Sequence, residues 1–382
     1  MSTTVCVSPN GGDTTASPEP ATTLLVGTLG GIYRLERPHP EFAWELADRT
    51  LAGRHISSIL SVAPGRLLAG IHGGGLFASD DDGQTWSPSE RGIAAEHRHV
   101  FTLTAQQRGE RTVLWAGTEP SALYRSDDFG ATWTELPALR DVPDHEKWTF
   151  PPPPHLAHLK HVAFHPREPQ TLYVCIEQGA VLKSTDDGAS WNEITSYTSP
   201  DDFFYRDVHR IVIAPSNPAR VYLASGEGLY RSDDAGTSWT HLTRKDDRVG
   251  YPDALFLDPA DENTVFIGGA SGMPGTWRMG TDGTANAGII RSRDAGATWH
   301  ELDGGLPRPV RGNIEAVSLH AHGGTFAFYA GTAVGEVFAS EDRGETWRLI
   351  AAGLPPISKV SHYKRFLPPS AQPKPIFAAR PH

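Results

Sequence analysis

One eight-residue pattern, Ser-x-Asp-x-Gly-x-Thr/Ser-Trp, occurs six times, at 79–86, 126–133, 184–191, 232–239, 292–299 and 340–347. Successive copies begin 47, 58, 48, 60 and 48 residues apart. A fixed period of that length signals a repeat architecture, so the 382 residues need not divide into separate domains. The residue types explain the pattern. An Asp carboxylate accepts bonds from nearby backbone N–H groups and holds a tight turn. The Gly supplies a backbone conformation costly for other residues, and the Trp covers the turn. Calcium binding is the competing reading of Asp80, Asp81 and Asp82, but the box lacks an EF-hand's ligand number and spacing. The boxes are read as structural turns.

Each box follows a strand pair, such as 66–71 with 75–79, and each pair follows an alternating strand that often ends in Pro, such as 60–64 or 211–215. A short strand follows the Trp. Four antiparallel strands per repeat make a propeller blade. On these motifs the chain resembles the BNR/Asp-box propeller superfamily, which includes sialidase-like, photosystem II stability factor-like and WD40-YVTN-BNR-like repeat proteins. The expected fold is all-β, a seven-bladed β-propeller with Asp-box repeats, six blades being the alternative. A boxless blade lies at 24–46, and the segment 357–366 is expected to supply its inner strand and close the ring from the C-terminus. Residues 1–21 are read as a disordered tail, 22–367 as one propeller and 368–382 as a second tail.

Aligning the inner strands on Leu60, Phe101, Val162, Ile211, Leu255 and Val317 leaves apolar residues on one parity, for burial between blades. The other parity faces the channel. One residue earlier it reads Ser58, His99, Lys160, His209, Asp253 and Glu315; three earlier it reads Ile56, His97, His158, Asp207, Tyr251 and Asn313. The turns after the second strands bring His72, Glu119, Glu177 and Glu227 to the same mouth. Long connections on that side carry Trp148, Phe203, Phe204, Tyr205 and Trp277, candidate apolar walls.

Imidazoles and carboxylates at matching heights suggest chemistry. His99, His209, Asp253 and Glu315 are the candidate ligands of a divalent metal ion (Zn, Mn, Fe or Ca), with Glu177 or Glu227 from above. His158, Lys160, Asp207 and Tyr251 are candidate catalytic groups; His72, Glu119, Glu177, Glu227, Trp148 and Trp277 are candidate substrate contacts. A metal would activate water or polarise a carbonyl or phosphoryl oxygen. Without one, a His–carboxylate pair such as His209 with Asp207 suits acid/base chemistry. The leading expectation is a metal-assisted hydrolase or lyase acting on a small molecule; the alternatives are a non-catalytic binding or assembly propeller and a glycoside hydrolase.

The sialidase branch of the resemblance implies an Arg-Ile-Pro-type motif and three arginines in one register, which Arg54, Arg98 and Arg210 do not form. Xyloglucan-type glycosidases also resemble this repeat but are larger, with two propellers; Asp253 with Glu315 or Asp207 is the carboxylate pair that branch requires. Lys plus Arg number 34 against 45 Asp plus Glu, a net charge of -11, which argues against nucleic acid or anionic membrane as a partner. Two cysteines, a polar N-terminus without a secretory apolar core and the lack of a spanning segment make a reducing, cytoplasmic setting the expectation.

Overall fold

The computed structural model describes residues 3–11, 14–198, 206–359 and 361–371. Seven sheets follow one another in chain order, each with four strands running outward from the axis, one of them with a fifth strand added. Blade 1 is Thr4–Val7, Thr23–Thr28, Gly31–Glu36 and Glu45–Thr50. The inner strands of blades 2 to 7 are Ile56–Ala63, His99–Arg108, His158–Phe164, Val208–Ile213, Tyr251–Asp258 and Ile314–His322. Each packs on the inner strands of its neighbours, and the first blade touches both the second and the seventh, so the ring is closed. Among the described residues no helix is long and apolar enough to cross a membrane.

Closure differs from the sequence expectation. The inner strand of blade 1 is Thr4–Val7, parallel to Thr23–Thr28, and Thr14–Ala16 adds to the inner edge of blade 7 beside Leu319–Ala321. The segment read as a disordered tail is therefore built into the ring. Val5 and Val7 are buried in the core between blades 7 and 1. After the first strand, residues 10 and 11 reach toward blades 3 and 5: Asn10 O accepts from Thr102 Oγ1 at 3.2 Å and Gly11 O accepts from Arg210. The C-terminal segment forms no strand. Ile357 joins the same apolar core, its N–H donates to Thr332 O at 3.2 Å, and a 3-10 turn follows at His362–Phe366. It roofs the mouth instead of closing the ring. The expected C-terminal tail is described only as far as residue 371, where a short 3-10 turn, Pro369–Ala371, ends.

The boxes are scaffold. In the first, Ser79 Oγ accepts from Gly83 N–H and donates to Asp81, whose carboxylate accepts from the Thr85 N–H and hydroxyl at 2.8 and 2.5 Å. The other five repeat this set around Asp128, Asp186, Asp234, Asp294 and Asp342. Two successive residues take the left-handed conformation, Asp82 at φ 60° and Gly83 at 85°, which is why Gly recurs there. Hydrogen bonds from Thr85 and Ser79 hold Asp81 down to about 2.

Candidate functional site

In blades 2 to 7 the inner strand carries a β-bulge, which leaves Ser57, Phe101, Lys160, His209, Asp253 and Glu315 unpaired at one height. The residue after each bulge lies opposite Gly70, Gly117, Cys175, Ala224, Gly268 or Gly331, small enough for the next blade to approach. A Cβ on Gly117 would lie 2.6 Å from Leu159 Cδ2. The bulge aims a side chain into the channel. Two residues earlier stand His55, His99, His158, Asp207, Tyr251 and Asn313.

The sequence register therefore holds in blades 4 to 7 and is displaced by one residue in blade 2 and two in blade 3. Ile56 belongs to an apolar core with Ile59, and His97 lies outside the channel with Nδ1 2.7 Å from Tyr124 Oη. His99 stands level with His158, not with His209.

These groups form a buried polar network. Glu119 bridges His99 Nδ1 at 3.1 Å and His158 Nδ1 at 3.2 Å; His158 Nε2 reaches Glu177 at 2.5 Å. With a carboxylate at each nitrogen, His158 is an imidazolium: burial alone would lower its affinity for a proton, but Glu119 and Glu177 raise it. Burial likewise opposes ionisation of Glu119, yet bonds from His158 and His99 hold it down to about 2. Glu177 also accepts from Lys160 Nζ at 2.8 Å and lies 3.6 Å from Lys359 Nζ. Those cations keep Glu177 well below the usual carboxylate range despite its burial. Asp253 accepts from Lys160 at 3.1 Å, from Lys359 and from Asn313 at 2.9 Å, and stays ionised against the same penalty. Glu315 accepts from Ser358 Oγ and the Lys359 N–H and lies 3.1 Å from His362 Nδ1.

Asp207 and His209 differ from the rest. The His209 Nδ1 lies 2.7 Å from Pro252 O, and a carbonyl only accepts, so Nδ1 carries a proton and Nε2 is the ring atom turned toward the carboxylates. Nε2 is 3.4 Å from Asp207 Oδ1 and 3.7 Å from Glu177 Oε1. Neither His209 Nε2 nor Asp207 Oδ1 has a hydrogen-bond partner, although both residues are buried. The Asp207 Oδ2 accepts from Tyr251 Oη at 3.2 Å, and a Cβ on Gly226 would lie 2.5 Å from it. Burial, then the Asp207 charge, pushes the Tyr251 phenol well up, so it acts as a donor.

The expected metal set does not converge. His99 is held by Glu119, Asp253 by the two lysines and Glu315 by the roof; His209 meets Asp207 and Glu177 instead, the one group of metal-competent atoms within 4.8 Å of one another among the described residues. The expected carboxylate pair of Asp253 with Glu315 is likewise engaged with protein donors. Of the expected substrate contacts, Glu119 and Glu177 enter the network. His72 packs on the His55 and His99 rings, and burial with those neighbours lowers it to about 3. Glu227 is buried with its carboxylate 3.7 Å from Lys245. Trp148 packs over Gly179, and Trp277 is buried with its ring stacked on Phe366 and its N–H donating to Gly272 O at 2.6 Å; both are packing residues. Phe203, Phe204 and Tyr205 lie outside the described residues. Open cavities are elsewhere: about 640 Å³ at the far end of the channel, lined by His161, Arg210 and Phe256, and about 450 Å³ on the rim beside Arg248, Arg278 and Arg308.

The model of the BNR-Asp box repeat matches residues 123–136, a turn and its flanking strands seen six times in a closed ring. The chain is a β-propeller built on six Asp boxes. This propeller is 27% identical over 220 residues to a xyloglucanase from Paenibacillus sp, covering 51% of the chain and 20% of the relative. It is 26% identical over 228 residues to a probable oligoxyloglucan-reducing end-specific xyloglucanase from Neosartorya fischeri, covering 55% and 26%. The matches thus span about half of the chain and only 20 to 26% of those relatives. In fold it is similar to an ancestral GH74 enzyme (TM-score 0.57, 17% identity, 74% of this chain and 36% of that one). It is also similar to YCF48 from Cyanidioschyzon merolae (TM-score 0.52, 15% identity, 82% and 90%). These two likenesses speak for the fold alone.

Sequence reasoning missed two contributors to the Asp-box propeller's mouth and misplaced the backbone of a third. His55 lies one residue before the position aligned with it, and its Nε2 is 3.0 Å from Ser358 O. Phe101, aligned as an interblade residue, sits at a bulge and stacks on His158 at 3.8 Å. Lys359 was expected on a closing strand and arrives from the roof. The small residues opposite the bulges were the available signal for the first two.

Proposed function

We propose that this propeller is a hydrolase acting on an oligosaccharide, with Glu177, Asp207 and His209 as its reacting centre. One observation carries the reading: His209 Nε2 and Asp207 Oδ1 face each other at 3.4 Å, each without a hydrogen-bond partner. With His209 as the neutral imidazole, a water entering that gap donates to both and turns an oxygen lone pair outward, which is general-base activation. The carboxylates differ in state: Glu177 is ion-paired with Lys160, whereas the hydrogen bond to Asp207 Oδ2 comes from a neutral phenol. In this reading His158 and Lys160 position Glu177, and Tyr251 positions Asp207. The substrate class is supported by the xyloglucanases to which half of the chain is similar. The centre is buried, so substrate reaches it by displacing part of the roof around Lys359.

The test is release of reducing ends from xyloglucan oligosaccharides and a panel of other α- and β-linked oligosaccharides. Asp207→Asn and His209→Ala are expected to lower the rate by about 100-fold or more with unchanged circular dichroism. No release from any member by the wild-type protein would refute the reading; tight binding without release would favour the binding-propeller alternative.

A further inference from the structure

The geometry points to a divalent metal ion of zinc type at Glu177, Asp207 and His209. One ring nitrogen and two carboxylates converge there. Pro252 O takes the His209 Nδ1 proton, which leaves Nε2 as the ring atom turned toward both carboxylates. His209 Nε2 and Asp207 Oδ1, 3.4 Å apart, have no hydrogen-bond partner in a site that burial closes to bulk water, while Glu177 Oε1, 3.7 Å from Nε2, accepts from Lys160. A bound cation satisfies both orphaned atoms at once.

The spacing says what kind. A tetrahedral ion with ligand bonds of about 2.1 Å has ligand–ligand edges of about 3.4 Å, against about 3.0 Å for an octahedral one. The edges from His209 Nε2 measure 3.4 and 3.7 Å, and the third lies within 4.8 Å, so contraction of the Glu177 side chain alone completes the face. One imidazole and two carboxylates leave the fourth position of a tetrahedron for water. The outer shell is already built. Pro252 O orients His209, and Tyr251 Oη holds the Asp207 carboxylate.

Two ammonium groups oppose the ion, Lys160 at 2.8 Å and Lys359 at 3.6 Å from Glu177 Oε1. They are themselves countered by Asp253, and the carboxylates of the network outnumber its lysines and the His158 imidazolium. This opposition makes a second, opposite-signed test available.

The experiment is calorimetric titration of full-length, chelator-treated protein with ZnCl2, and separately MnCl2, in a non-coordinating buffer, with metal content measured after dialysis. One zinc per chain is expected, bound more tightly than manganese. Asp207→Asn and His209→Ala should lose it; Tyr251→Phe should weaken it by about tenfold through the outer shell. Lys160→Met should tighten it by about tenfold or more, because a like charge is removed. Wild-type protein that takes up no metal overturns the inference, as does unchanged binding in both Asp207→Asn and His209→Ala. The inference rests on the hydrolase reading of the same site, with the ion in the gap between His209 and Asp207 that a water would otherwise fill, and the two fail separately: bound zinc without turnover removes that reading alone, and turnover by protein that takes up no zinc removes the metal alone.

Discussion

Replacing Asp253 by Asn should be the most damaging single isosteric change in the channel. The carboxylate takes Lys160 at 3.1 Å and Lys359 on Oδ1, and Asn313 at 2.9 Å on Oδ2, with the side chain almost wholly buried. An amide keeps the volume but removes the charge, leaving two ammonium groups to share Glu177. Removing one partner of a buried ion pair costs about 3–5 kcal/mol, because the other charge stays buried and uncompensated. Lys160 can escape part of that cost by losing its proton, since burial already lowers its affinity for one. The penalty should therefore lie near the lower bound, about 3 kcal/mol, at pH 7 and shrink by pH 9.5. The assay is urea unfolding of both proteins at the two pH values, reading the shift of midpoint at constant slope. The sign can be checked from the acid side too. Asp253 is held below its ordinary value in the folded state, so its contribution is present above about pH 4 and fades as pH falls further; the wild type should lose its advantage over the variant there. A loss under about 1 kcal/mol at pH 7 would mean that the lysines are not held by Asp253, and the electrostatic account of the mouth would be wrong.

Three further outcomes are expected. His158→Gln should cost stability below about pH 6.5, and the difference should disappear as pH rises through the elevated folded value, since a raised imidazole stabilises only while protonated; urea midpoints between pH 5 and 9 test this. Trp133→Ala, in the second box, should cost about 3–5 kcal/mol through lost packing and the lost N–H bond to Ser89 O, while zinc titration is unchanged. Removing residues 1–17 should lower the midpoint of thermal unfolding sharply, because both N-terminal strands go with them; an unchanged midpoint would show that blade 1 closes without them.

The Asp boxes, read as sequence, determined the fold class and the scaffold role of Asp81 and its equivalents, because a box is local: its hydrogen bonds join residues two to four apart; the seventh blade was read from the boxless hairpin at 24–46, with six blades as the alternative. Strand alternation also identified Lys160, His209, Asp253, Glu315, His158, Asp207 and Tyr251 as channel-facing in blades 4 to 7. It failed in blades 2 and 3 because a bulge inserts a residue without changing the apolar rhythm that marks a strand. Tertiary structure alone decided how the ring closes. Thr4–Val7 is four residues in a polar stretch, and only the exposed edge of Thr23–Thr28 gives it a partner. It also decided which ionisable groups are engaged and which are left over. Asp253 and Asp207 look alike in the aligned strands, yet Asp253 meets two lysines, one arriving from position 359, while Asp207 meets a phenol and the His209 ring. Those partners come from distant points of the chain, and charge compensation inside a protein depends on separation in space, not in sequence.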